Sequence, residues 1–92
     1  MLFEWDENKA NVNLQKHKVG FEEAKTIFDD LFLLTFYDAK HSDVEQRYIS
    51  IGMSAKGRVL LVIHTERKMN IRLISCRKAT KSERRVYETK GS

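Results

Sequence analysis

Between Leu31 and Cys76 the chain carries four strand-like runs separated by short polar links, and that spacing limits its possible folds more than any other feature. Leu31 to Phe36 is apolar, and Arg47 to Met53 alternates with many β formers. Val59 to His64 is an unbroken run of β-branched residues and leucine, as expected of a central strand buried on both faces. Ile71, Leu73 and Ile74 with Ser75 and Cys76 make the fourth run. The links are the polar loop Tyr37 to Asp43, the turn Ser54-Ala55-Lys56-Gly57 and the turn Arg67-Lys68-Met69-Asn70. None has room for a crossover helix, so successive strands must pair antiparallel.

Helical patterns flank this block. Leu2-Phe3-Glu4-Trp5 suits a short edge strand or an N-terminal staple. Asp6 with Glu7 behind it suits a helix N-cap, and no breaker intervenes before His17. On that helix Ala10 and Leu14 share one face and are expected to point inward, with Trp5 over them; Lys9, Asn13, Lys16 and His17 form a polar stripe. Gly20 is expected to end the helix, and Glu22 to Asp29 to form a second short one with Phe21, Ala24, Ile27 and Phe28 inward. After the fourth strand, Thr80-Lys81-Ser82-Glu83 matches a capping box and starts a basic helix at Lys81. The predicted fold is α+β, in the order β-α-α-β-β-β-β-α, as a single domain over residues 1–92, with an antiparallel sheet packed by helices.

The net charge of +4 lies mainly in the second half, which favours a nucleic acid or an acidic protein as partner. The one cysteine, Cys76, sits inside an apolar run, reads as a small buried hydrophobe and fits a reducing cytoplasm. The N-terminus carries acids where a secretion signal needs bases, and no stretch is apolar enough to span a bilayer, so a cytoplasmic location without membrane contact is expected.

Paired-cysteine metal spacing, His-x-x-x-His, phosphate-cradling glycine loops and Gly-x-Ser-x-Gly are all absent, and His17, His41 and His64 are dispersed; no metal or cofactor is expected. Arginines do gather at strand ends: Arg47, Arg58, Arg67, Arg72 and Arg77. A metal-free ribonuclease needs a base for the ribose 2′-hydroxyl, cations for the phosphate and an acid for the leaving oxygen. Arginine suits the second role through its planar fork, and His64, His17 and Glu66 are possible proton carriers. Taken alone, the helical stripe and the basic run Arg77, Lys78, Lys81, Arg84, Arg85 read as solvated faces.

A resemblance changes that weighing. Phe3 to Lys9, Asn13, Lys16-His17, Val19, Phe21 to Ala24 and Phe28-Asp29 resemble the opening signature of the BrnT family of bacterial toxins. It continues through Arg47 to Gly52, Arg58, Val62, His64 to Arg67, Arg72, Ile74-Ser75, Arg77, Ala79-Thr80, Glu83-Arg84 and Tyr87. The tail from Glu88 to Ser92 is beyond it. The resemblance implies a RelE-like ribonuclease fold, RNA cleavage that arrests translation, and neutralisation by a BrnA-like antitoxin with a ribbon-helix-helix domain. That antitoxin would be the only link to DNA. Under this reading Arg72, Arg77, Lys16, His17, His64 and Glu66 become candidate catalytic residues, with Lys9, Arg47, Arg67, Lys81 and Arg84 as RNA contacts. The expected arrangement has Arg72 and Arg77 on the scissile phosphate and Lys16 or His17 reaching it from the first helix. A non-catalytic RNA- or antitoxin-binding module acting as co-repressor is the alternative.

Overall fold

The structure is a computed structural model that describes residues 2–90; the tail Gly91-Ser92 lies outside the described residues. Its strands are β1 (Leu2–Glu4), β2 (Leu34–Tyr37), β3 (Arg47–Met53), β4 (Val59–Arg67) and β5 (Asn70–Lys78). Its helices are α1 (Glu7–His17), α2 (Phe21–Ala24), which tightens into a 3₁₀ turn over Lys25–Asp29, and α3 (Lys81–Lys90). The element order matches the sequence reading. The sheet order is β1-β5-β4-β3-β2, antiparallel throughout except where β1 joins β5 in parallel, so the sheet is mixed rather than purely antiparallel. β4 is central, as its unbroken apolar run requires.

Helices cover the two faces unequally. α1 and α2 close one face over Val19, Phe21, Ala24, Ile27, Leu60, Val62, Ile71, Leu73 and Cys76. On the other face, Tyr87 of α3 packs on Ile51 and Leu61, and its hydroxyl donates to Asp30. The capping box forms as its spacing demands: Glu83 N–H donates to Thr80 Oγ1 (3.2 Å) and Thr80 N–H to Glu83 Oε1 (2.8 Å). Asp6 caps α1 by accepting from the amides of Asn8 and Lys9.

Two local expectations are corrected. Gly20 does not end α1; Lys18 does, in the left-handed conformation (φ 61°), with its N–H on Leu14 O. Gly20 instead precedes α2 with ordinary extended backbone. The inward position on α1 belongs to Asn13, which is buried, while Leu14 is 50% exposed. The cause lies in β5. β1 pairs with it only from Asn70 to Arg72, so its edge at Cys76 has no neighbouring strand. The Asn13 side chain fills that place, accepting from Cys76 N–H (3.0 Å) and donating to Cys76 O (2.9 Å) and Val19 O (3.0 Å). A buried backbone edge needs such partners more than the core needs one further leucine.

Candidate nucleic-acid interface

Cross-strand partners share a face, so the register lays out the sheet surface that α3 leaves partly open. One row runs Arg47, Thr65, Arg72, Glu4 across β3, β4, β5 and β1; the next is Ile49, Ile63, Ser75; the third is Ile51, Leu61, Arg77. A bulge lies between the first two rows: Ile63 faces Ser75 but His64 faces Leu73, leaving Ile74 as an extra residue on β5. The bulge turns both Ile74 and Ser75 towards this surface, where they line two grooves at once.

The first groove, about 330 Å³, lies between α1 and β5 and is lined by Asn8, Lys9, Val12, Lys16 and His17, with Asn13 at its base. The second, also about 330 Å³, is lined by Asp38, His41, Arg47, Arg77 and Glu83 over a floor of Ile49, Leu61 and Ile63. Sharing Ile74 and Ser75, the two form one continuous track. Cations stand on both sides of it, while the apolar floor lets their charge act over a surface poor in competing dipoles.

The arginines are held differently. Arg77 forms a bidentate pair with Glu83, at 2.7 Å from Nη1 to Oε1 and 2.9 Å from Nη2 to Oε2. That pair holds the Glu83 carboxyl down at about 2, with the Thr80 amide assisting. Arg67 is paired with Glu45 (2.8 Å), and Arg72 stands 4.0 Å from Glu4. Arg47 makes no ion pair among the described residues and shares the field of Glu45 with Arg67 and Arg72.

The remaining sequence candidates separate clearly. Lys9, Lys16 and His17 line the track, whereas His64 does not. It is 1% exposed on the opposite face, edge-on to Phe28 and stacked on Tyr48, with Nε2 bonded to Ser50 Oγ at 2.7 Å. Burial pushes its pKa down to about 4, so it is a neutral core residue. Glu66 is exposed at the end of β4, alternating to the His64 face. Lys81 and Arg84 are exposed on α3 and line neither groove. Arg72 and Arg77 share a face but stand five positions apart on β5, about 16 Å at 3.3 Å per residue.

Sequence reasoning missed His41 and Asp38. His41 Nδ1 lies 3.0 Å from Asp38 Oδ2 in a 3₁₀ turn (Ala39–His41) after β2, and both side chains face the second groove. The Asp-x-x-His spacing was the available signal. Cys76 is buried as expected, its thiol pushed up to about 11 by desolvation.

The chain is thus a five-stranded α+β domain in which two adjoining grooves, edged by lysine, histidine and arginine side chains, meet at Ile74 and Ser75. The family model for the ribonuclease toxin BrnT of type II toxin-antitoxin systems matches residues 5–83, and the chain belongs to that family. Among solved structures it resembles the Brucella abortus ribonuclease toxin BrnT, with a TM-score of 0.67 and 24% identity over 88% of this chain and 100% of that one. No curated protein matches the sequence.

Proposed function

We propose that this chain, acting as one domain, is a metal-independent endoribonuclease that arrests translation in the cytoplasm. In this reading a ribbon-helix-helix antitoxin of the BrnA kind neutralises it and provides its only link to DNA. Family membership supplies the ribonuclease class and the existence of an antitoxin. The observation that carries the finer reading is the junction at Ile74 and Ser75, where a groove edged by Lys9, Lys16 and His17 runs into one edged by Arg47 and Arg77.

A single strand laid along the track would meet ammonium groups from α1 and guanidinium groups from the sheet. Arg77 takes the scissile phosphate, because its fork already holds a carboxylate in the bidentate geometry that two phosphate oxygens would adopt. Arg72, Arg47 and Arg67 hold flanking phosphates, and Lys81 and Arg84 extend the basic surface along α3. Lys16 and His17 approach from the first groove. These cations neutralise the charge that develops on phosphorus, the role a metal ion fills in other nucleases. His64 and Glu66 have no part in this arrangement.

The test is induction of the chain in cells, alone and with a ribbon-helix-helix antitoxin, while amino-acid incorporation and RNA integrity are followed. The reading expects incorporation to stop as RNA is cut, and both effects to vanish with the antitoxin. Salt-sensitive RNA binding with intact RNA and continuing translation would refute it in favour of the co-repressor.

A further inference from the structure

We infer that His41 is the general base of the cleavage step and that Asp38 holds it in the tautomer this requires; the inference rests on the ribonuclease reading above. The ordinary alternative is an exposed histidine capping its own turn, and three observations favour more than that.

First, the turn is anchored. Asp38 N–H donates to Arg47 O (2.8 Å), and the Ser42 hydroxyl bridges the two strands by donating to Asp38 O and accepting from Arg47 N–H (2.9 Å). The dyad is thereby tied to the backbone of Arg47, whose side chain lines the same groove. Second, the hydrogen bond sets the tautomer. The Asp38 side chain is only 12% exposed, whereas that of His41 is 60% exposed. An ionised carboxylate can only accept, so the proton sits on His41 Nδ1 and the Nε2 lone pair is left to act as a base. Third, the other candidates are worse placed. Glu83, bonded to Arg77 and the Thr80 amide, is held near 2 and is a weak base; His64 is buried on the opposite face; His17 lines the adjoining groove and not the one that holds Arg77 and Arg47.

In the step, His41 Nε2 takes the proton of a ribose 2′-hydroxyl as that oxygen forms a bond to the adjacent phosphorus. The bond from phosphorus to the 5′ oxygen breaks, and that oxygen takes a proton from water. The imidazolium returns its proton to solvent, leaving a 2′,3′-cyclic phosphate and a 5′-hydroxyl. Arg77 and Arg47 face the phosphoryl oxygens throughout.

The experiment uses the full chain and a labelled messenger transcript, free and on translating ribosomes. His41→Asn should lose about 10²-fold or more in rate. Its affinity for uncleavable 2′-O-methyl RNA and its melting temperature should stay at wild-type levels. Added imidazole should partly restore His41→Ala, which a merely structural role would not allow. Asp38→Asn should lower the rate and move the acidic limb of the pH profile, where the base takes up its proton, with RNA affinity unchanged. A His41→Asn protein that cleaves within threefold of wild type, or that loses rate only through lost affinity, overturns the assignment while leaving the ribonuclease reading standing. A folded wild type that cuts neither substrate overturns both.

Discussion

Replacing Asn13 should destabilise the protein far more than its place on a polar helical stripe suggests. In Asn13→Ala, the Cys76 amide and carbonyl lose their side-chain partner and the Val19 carbonyl is left with only the weak Cys76 thiol contact (3.8 Å), at a site where Asn13 itself is only 6% exposed. A buried group left unpaired costs about 1–3 kcal/mol, and the nearby groove admits water that offsets part of it, so about 3 kcal/mol in total is expected. That is a large share of the roughly 5–15 kcal/mol typical of a whole domain. At about 4–8 °C per kcal/mol for a chain of this size, melting should fall by roughly 12–24 °C. Asn13→Asp separates the contributions: it keeps an acceptor for the Cys76 amide but sets a carboxylate against two carbonyl oxygens, and should cost at least as much. Urea and thermal unfolding of the two variants give the answer. A loss below about 1 kcal/mol in Asn13→Ala would show that β5 does not depend on this side chain and that α1 is held by its apolar contacts alone.

Three further outcomes follow from the same geometry. Because the native His64 takes up its proton only near pH 4 while an unfolded histidine does so near 6.5, stability should be full above pH 6.5 and fall by roughly 3 kcal/mol towards pH 4; His64→Phe should flatten that limb in a pH series of urea melts. The depressed Glu83 carboxyl contributes stability that is present above its ordinary 4.5 and lost as pH falls through about 2, so Glu83→Gln should reduce the acid loss in that lower window and also weaken the Arg77 pair, measured by the same melts. Lys18→Gly should raise stability by about 0.5–1 kcal/mol by relieving the left-handed backbone at φ 61°; a decrease would mean that the lysine side chain contributes more than its backbone costs.

The antiparallel block was legible because short links and an unbroken apolar run at Val59 to His64 leave few topologies, and the capping box announced α3. What the sequence concealed is tertiary. The parallel pairing of β1 with β5 joins residues some 68 apart, as in Leu2 with Asn70, and no local pattern encodes it. Asn13 looks like any solvated helix residue until the strand it completes is known. Lys9, Lys16, His17, Arg47 and Arg77 stood out by type, and the fold then set them along two adjoining grooves, whereas Arg58 is paired with Glu23 elsewhere. His64 matched the family pattern but its alternation along β4 turns it into the core. His41 was passed over because a loop histidine has meaning only once the turn is seen to face Arg77.

On this reading the surface cuts RNA with its own side chains. The most direct measurement is cleavage of RNA by the purified chain in excess chelator, free and on translating ribosomes, beside Arg77→Ala confirmed as folded by its melting curve. Cleavage that survives the chelator and drops about 10²-fold or more in the variant is the predicted result. Cleavage abolished by chelator, or undiminished without the Arg77 guanidinium, would contradict the account.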